Sequence, residues 1–429
     1  MKHTVPTLTA LALMGALPAF GASIADDLTI KPKAQIQVRA QLGASGTNTA
    51  EQDVNIFNGA QGDTEAARFS VRRARFGAEA KNTTGWSAVF LIRAGERADA
   101  GARSTYVTTV TTAGTPPVTT TTTGDFSNNK TRTAELYYAN VTKLFKPTEG
   151  FDIDVHMGLD KPFNGESSIS SSGYLFPMDR PNAHFTEYRD TGIGTKALIA
   201  EMVRVGFDVQ NGSTTLSPDT NSDSAGLFTS ARIEFSPGKD LMPAKKLESW
   251  AGAEGQHLVI GFDYLNDSNR LAVVSAANDQ NVSVVTIGPD ILYHFNGLTA
   301  LADLRMRTTK TDNSTAASVD DVKGQVWTIQ AGYAIPMEQG FAIEPAFRFS
   351  KIDLNKDVDQ EGGAPFNQGE YRAGASGTEF TLGVNAYWNS HANKTQLAYT
   401  NWTGEEGATA ATGDKAKAHV ITLQHQVTF

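Results

Sequence analysis

Residues 33–42 read KAQIQVRAQL, and their side chains alternate between polar and apolar along the whole stretch. The polar set is Lys33, Gln35, Gln37, Arg39 and Gln41, and the apolar set is Ala34, Ile36, Val38, Ala40 and Leu42. Because successive side chains of a β-strand point to opposite faces, the stretch predicts a strand with one polar and one apolar face. The same alternation returns at 419–429, HVITLQHQVTF. Both segments therefore suit a wall between lipid and water.

Segments of similar length and patterning recur between these two. They lie near 67–81, 84–94, 132–143, 151–159, 191–200, 202–211, 226–236, 256–266, 282–294, 297–309, 323–334, 340–352, 378–389 and 392–402. Each is close to the roughly ten residues that a tilted membrane-spanning strand requires. We therefore predict an all-β fold, a transmembrane antiparallel β-barrel of about 16 strands, spanning residues 26–429.

The connections between the predicted strands alternate between short and long, as they do in outer-membrane barrels. If both termini face the periplasm, the short turns near 82–85, 145–150, 200–201, 295–297, 336–340 and 390–392 are periplasmic and the long connections are external. Residues 237–255 break the pattern, because this turn should be short but is long. It is either an elaborated turn or a local error in the strand count.

The first residues have the features of an export signal. Lys2 and His3 precede an apolar run from Leu8 to Phe20, so we expect a signal peptide over 1–22, cleaved between 21 and 25. The chain contains no cysteine, and its formal net charge of -9 argues against nucleic acid as a partner.

Strand parity identifies candidates for the chemistry of a pore. An anion path needs fixed positive charge and hydrogen-bond donors that replace lost hydration. Parity places Arg39, Arg73, Arg75, Arg93, Arg204, Arg305 and Arg307 along it. Lys161, Arg180 and Arg189 are added as the bases of the third external connection, 160–190, which we expect to form the constriction. Arg232 and Arg348 share this parity, as do the acids Asp152, Asp154, Asp208, Glu234, Asp263, Asp303 and Glu344. The alternative is that arginines pair with these acids and only hold the shape of the wall.

Two other features of the sequence have simple interpretations. The threonine-rich tract 104–123 reads as a solvated external loop. Aromatic residues near strand ends suit the belts found at membrane interfaces; they are Trp86, Tyr137, Tyr138, Trp327, Tyr333, Tyr387, Trp388, Tyr399 and Trp402.

The sequence lacks the usual signatures of catalysis. It contains no G-x-S-x-G, no H-E-x-x-H and no P-loop, and its histidines lack metal-ligand spacing. We therefore expect no catalytic residue, no metal and no cofactor. Two other functions stay open beside the pore: an outer-membrane enzyme of the phospholipase kind, and an adhesive or structural barrel.

Three segments resemble the phosphate-selective porin O and P family of bacterial outer-membrane porins. They are 69–79, FSVRRARFGAE; 151–163, FDIDVHMGLDKPF; and 174–181, YLFPMDRP. In that family a segment like Lys161-Pro162-Phe163 opens the third external loop, which folds into the pore. Lys161 and Arg180 match the loop segment, although here Asn164 is inserted before Gly165.

The resemblance implies a location, a function and partners. It implies a multi-pass barrel in the bacterial outer membrane, surrounded by lipid, that lets small anionic solutes such as phosphate diffuse passively. It also implies a homotrimer, and insertion by the outer-membrane assembly machinery through the C-terminal Phe429.

Overall fold

The computed structural model describes residues 27–46, 65–94, 105–112, 118–125, 134–163, 190–211, 227–238, 241–242, 255–273, 279–313, 322–353, 377–404 and 417–429. The expected signal peptide lies outside these residues, as do Arg180 and Arg189. The strands are β1 Thr29–Gly46, β2 Glu65–Lys81, β3 Trp86–Ala94, β4 Thr105–Thr112, β5 Val118–Asp125, β6 Ala134–Thr148, β7 Phe151–Asp160, β8 Asp190–Ile199, β9 Val203–Gln210, β10 Phe228–Phe235, β11 Gln256–Val273, β12 Asp279–Phe295, β13 Leu298–Asn313, β14 Val322–Tyr333, β15 Ile335–Pro336, β16 Ala342–Asp353, β17 Gly377–Asn389, β18 Asn393–Gly404 and β19 Lys417–Thr428. The described helix is a single 3-10 turn, Glu338–Gly340.

Sixteen long antiparallel strands of the described chain form one closed sheet, and β15 is a two-residue extension beside β16. Closure occurs where β1 pairs with β19 as well as with β2. At this seam Ala34 and Phe429 exchange backbone hydrogen bonds of 3.2 and 2.9 Å. The predicted barrel and its strand count are therefore confirmed.

The two faces of the sheet reverse the burial pattern of a water-soluble protein. Inward side chains such as Gln37, Asp263 and Arg305 are polar and buried, whereas outward ones such as Ile36 and Leu382 are apolar and exposed. Since a closed sheet pairs its own backbone groups, such a wall can cross hydrocarbon. Among the described residues, no helix is both long and apolar enough to cross a membrane.

Tight turns join the strands at one end of the barrel, which we call the turn end. Ala200 and Glu201 both have positive φ, 52° and 58°, and so do Asn296 and Gly297, 43° and 89°. Two consecutive residues of this kind make the turn whose twist fits a two-residue hairpin. The opposite end, where the long connections lie, is called the loop end below.

The structure changes two details of the loop end. β11 ends at Val273 and β12 begins at Asp279, so both are longer than the predicted strands 256–266 and 282–294, and the connection between them is shorter. The threonine-rich tract, expected as a loop, forms the hairpin β4–β5, which is a two-stranded sheet separate from the barrel. Threonine is β-branched, and it favours extended backbone where it recurs.

The long connection at the turn end begins by entering the barrel. Met242 packs against Val259, Leu292 and Leu301, three apolar side chains that are buried on the inner face of β11 to β13. Ser236, which precedes this connection, donates a hydrogen bond to the Leu258 carbonyl at 2.5 Å. This is the elaborated turn that the sequence allowed, and the strand count stands.

Candidate functional site

Four arginines and one tyrosine lie side by side on the inner wall of β1, β2, β3 and β6. We call them the basic row: Arg39, Arg73, Arg75, Arg93 and Tyr137. The arginines were placed on the inner face by parity, and the burial of Arg39, Arg73 and Arg75 agrees with that orientation. Tyr137 was expected in an interfacial belt, but it faces the interior. A register shift between Leu91 and Ile92 in the β3–β6 pairing moves it there.

Two members of the basic row are direct neighbours across β2 and β3. Arg75 pairs in register with Arg93, an arrangement that normally destabilises a sheet because like charges oppose each other. Both guanidinium carbons lie over the Tyr137 ring, at 3.8 Å for Arg75 and 5.6 Å for Arg93. Arg75 also donates to the Tyr137 hydroxyl at 2.5 Å. The negative face of the ring stabilises the two cations.

Neutral side chains hold the other arginines of the row. Arg39 donates to the Gln424 amide oxygen at 2.8 and 3.1 Å, and Arg73 donates to the Gln37 oxygen at 2.6 Å. These glutamines belong to an amide belt that follows the inner wall of β1, β19, β18 and β17. Its members are Gln35, Gln37, Gln426, Gln424, Gln396 and Asn385. Hydrogen bonds to amides fix a guanidinium group without cancelling its charge.

On the inner wall of β9 to β13, arginines meet several carboxylates. We call this group the ionic cluster: Arg204, Arg232, Glu234, Asp263, Asp290, Asp303 and Arg305. Arg305 is 0 % exposed and lies 2.7, 2.9 and 3.0 Å from Asp263, Asp290 and Asp303. Arg204 contacts Glu234 at 2.8 Å.

Inward glycines make the ionic cluster possible. Arg232 of β10 reaches Asp290 of β12 over Gly261, where an added Cβ would lie 2.2 Å from the Arg232 Nη2 atom. In the opposite direction, Arg305 of β13 reaches Asp263 of β11 over Gly288, where a Cβ would lie 2.5 Å from its Nη1 atom. A side chain at either glycine would block the contact above it.

We call a contact of this form, between two strands over a glycine of the strand between them, a tie. A third tie lies near the start of the third external connection. His156 of β7 contacts Asp208 of β9 at 2.7 Å over Gly194, where a Cβ would lie 1.6 Å from the Asp208 Oδ1 atom. Beside it the Phe163 ring lies over Gly206, and the Phe163 N–H donates to Ser230 Oγ at 3.0 Å. The first residues after β7 are therefore held against the inner wall.

The remaining predicted site residues fall in separate places. Lys161 follows β7, and its backbone N–H donates to Asp160 at 2.7 Å. Arg307 of β13 donates to the Thr286 hydroxyl at 3.2 Å, and Arg348 of β16 donates to Glu379 at 2.6 Å. Arg180 and Arg189 lie outside the described residues.

Sequence reasoning missed Asp290, the shared tyrosine and the glycine ties. Tyr387 and Trp402, expected in the interfacial belts, are buried on the inner face, and Tyr387 donates to Glu344. Trp86, Tyr333, Trp388 and Tyr399 are exposed on the outer face, in agreement with the belts. Counting alternate residues along each strand assigns these aromatic residues to the inner or the outer face correctly. Their closeness to a turn does not.

Metal binding and hydrolysis both depend on how the histidines and carboxylates of the described residues are grouped. None of their His, Asp and Glu side chains form a group of three or more that could hold a metal ion. On the outer face, His425 contacts the Thr395 hydroxyl at 2.9 Å and His419 lies beside the Tyr399 ring. Neither contact pairs a histidine with a serine nucleophile, which a phospholipase of the expected kind requires.

Comparisons with known proteins agree with this geometry. The family model of the phosphate-selective porins O and P matches residues 45–429. No curated protein matches the sequence. The anion-selective porin from Comamonas acidovorans has a similar structure, with a TM-score of 0.51, 10% identity and coverage of 94% of this chain and 100% of the other. The outer membrane channel DcaP of Acinetobacter baumannii gives a TM-score of 0.50 at 10% identity, over 95% of this chain and 99% of the other.

At 10% identity the two solved structures show only that the fold is shared, whereas the match to the family model shows which family the chain belongs to. The match covers nearly all of the barrel, including the ionic cluster and every member of the basic row except Arg39. The closed sheet, with its apolar exterior and polar interior, has the form of a channel in the bacterial outer membrane. The chain therefore belongs to the phosphate-selective porin O and P family and is a bacterial outer-membrane porin.

Proposed function

We propose that this porin prefers anions and that they pass along the basic row. The observation that carries the proposal is the direct opposition of Arg75 and Arg93 over one tyrosine ring. Two guanidinium groups at one point on the wall of a water-filled channel concentrate positive charge and hydrogen-bond donors there, which suits an anion as their ligand.

The chemistry of the row suits oxyanions. A guanidinium group presents a planar fork of donors that matches a carboxylate or a phosphate. Arg39 and Arg73 donate to amide oxygens, which set the positions of their guanidinium groups. An ion that sheds part of its water here meets donors already in place.

We assign the other predicted bases either to the support of the barrel wall or to the lining of the pore. Arg305 and Arg204, which contact carboxylates, hold the wall, as the alternative interpretation allowed. Arg307 and Lys161 extend the positive lining beyond the row. Arg180 and Arg189 belong to the third connection, which we place inside the pore. The contacts of Phe163 with Gly206 and Ser230 support this, because they start that connection along the inner wall.

We also propose a permeant anion, an oligomeric state and a route of assembly for this porin. Phosphate is a permeant anion, as the family description suggests. The porin works as a homotrimer in outer-membrane lipid. The assembly machinery recognises Phe429, a residue that is 75% exposed and directly follows β19.

The test is a conductance measurement on purified porin in a planar bilayer, with the reversal potential recorded across a KCl gradient. We expect chloride to be more permeant than potassium, and we expect added phosphate to reduce the current. Arg75→Gln and Arg93→Gln should each lower the anion preference severalfold. Arg348→Gln, whose partner is Glu379, is the matched control and should change it little. Cation selectivity of the unmodified porin would contradict the proposal.

A further inference from the structure

An apolar side chain lies beside the paired arginines. Along the inner faces of β2 and β3, the pair that follows Arg75 and Arg93 toward the turn end is Gly77 and Leu91. Leu91 leans over Gly77, since a Cβ built on that glycine would lie 2.8 Å from Leu91 Cδ2. The next pair is Glu79 and Val89. Leu91 and Val89 thus form an apolar step directly below the two guanidinium groups.

This apolar step differs from the inward hydrophobic cluster of β11 to β13. Val259, Leu292 and Leu301 are also inward, but they are buried beneath Met242. Leu91 and Val89 are only half-buried, so part of their surface meets the lumen. Apolar surface left open to water beside a charged site is available to cover a ligand's hydrocarbon part.

We infer that the basic row binds organic carboxylates with an apolar or aromatic body, in preference to inorganic phosphate. The inference rests on the proposed function, and it names the class of anion. The carboxylate lies between Arg75 and Arg93, and the body of the solute covers Leu91, Val89 and the edge of the Tyr137 ring. Phosphate makes the same hydrogen bonds but gains no apolar contact from the step. Leu91 and Val89 also displace water that would otherwise hydrate the phosphate oxygens, which costs free energy.

The neighbours of the step limit the size of the body. Glu79, which lies beside Val89, forms ion pairs with Lys33 and Lys81. This polar group ends the apolar surface at about 7 Å below Leu91, which is two strand residues. One ring fits that length, so benzoate and cyclohexanecarboxylate are the suitable probes.

The experiment compares anions as blockers of the KCl current through single channels. We expect benzoate to block at a concentration roughly tenfold lower than phosphate or acetate, since burial of one ring face is worth about that factor. Leu91→Ser should weaken the benzoate block roughly tenfold and leave the phosphate block unchanged. Leu198→Ser is the matched control, because Leu198 is an inward, half-buried leucine of β8, and it should change neither.

Titration calorimetry of the porin in detergent measures benzoate binding at the same site independently of channel current. Leu91→Ala provides a second variant should the serine variant not fold. Equal or stronger block by phosphate, or benzoate binding unchanged in either Leu91 variant, would overturn the inference. The KCl reversal potential is recorded without benzoate. If it shows no anion preference, the proposed function is contradicted. If the channel is anion-selective but benzoate and phosphate block it equally, only this inference is contradicted.

Discussion

Arg232 and Asp290 join β10 to β12 across the strand that lies between them. Two hydrogen bonds, 2.6 and 2.7 Å long, form a bidentate pair above Gly261 of β11. Arg305 and His156 make ties of the same form over Gly288 and Gly194. The backbone hydrogen bonds of a sheet join neighbouring strands only, so these side chains bind each strand to its second neighbour. The inner wall is thereby stiffened along its circumference.

The first prediction concerns the glycine beneath the Arg232 tie. Gly261→Ala places a methyl group where the guanidinium lies and should destabilise the barrel by about 3 kcal/mol, since it separates a buried ion pair. Guanidinium chloride unfolding in detergent measures the change. Gly238→Ala is the control, because a Cβ there meets Leu241 at an ordinary 3.6 Å. In an Arg232→Gln background, the cost of Gly261→Ala should fall sharply, and full additivity would exclude the tie.

The second prediction separates arginines that hold the wall from those in the proposed anion path. Arg305→Met takes the cation from Asp303 and one of two arginines from Asp263 and Asp290, and it should cost about 3–5 kcal/mol. The same unfolding assay measures it, with Arg348→Met as the comparison, since Glu379 is the carboxylate described beside Arg348. Channels formed by the folded fraction of the Arg305 variant should keep their chloride preference. A stable variant with altered selectivity would place Arg305 in the path instead.

The third prediction concerns the connection that enters the barrel at the turn end. Met242→Ala removes the side chain that covers Val259, Leu292 and Leu301. We expect a higher single-channel conductance, because the interior widens there, with a stability loss of about 1 kcal/mol. Met337→Ala, in an exposed turn at the same end, should leave the conductance unchanged. An unchanged conductance in the Met242 variant would show that this contact does not narrow the path.

The fourth prediction tests which face of the sheet meets lipid. Leu382 is 49% exposed on the outer face of β17, so Leu382→Arg puts a charge into hydrocarbon and should cost about 2–4 kcal/mol. Folding into lipid vesicles, followed by the mobility shift between heated and unheated samples, measures the loss. Thr142→Arg adds the same side chain to the half-buried inner face of β6 and should fold normally. Comparable losses in both variants would contradict the assigned faces.

The strands and the inner position of the basic row were predictable from sequence, because both depend on a local period of two. Arg39, Arg73 and Arg75 were placed inward from their own strands alone, and the structure agrees. Tyr137 could not be placed this way, since a register shift in the β3–β6 pairing interrupts the alternation at that point.

The ties were not predictable, because each depends on the relative register of three strands. In the sequence, Gly261 looks like any glycine in a strand. Its role appears only when the registers of β10 with β11 and of β11 with β12 are known. The division of arginines into two classes has the same origin. Parity gives Arg75 and Arg305 the same orientation, and only the neighbours across the wall show that one lies over a tyrosine and the other among carboxylates.

The seam between β1 and β19 constrains how this porin can be made. It joins side chains very distant in sequence, such as Gln37 and Gln426, which are 389 positions apart. Until those strands meet, each presents a row of unsatisfied backbone groups, which hydrocarbon does not tolerate. Insertion therefore depends on a temporary partner for the free edges or on simultaneous arrival of both ends of the sheet. A frameshift or truncation that removes β19 would abolish membrane residence for the entire barrel, however well the preceding strands pair.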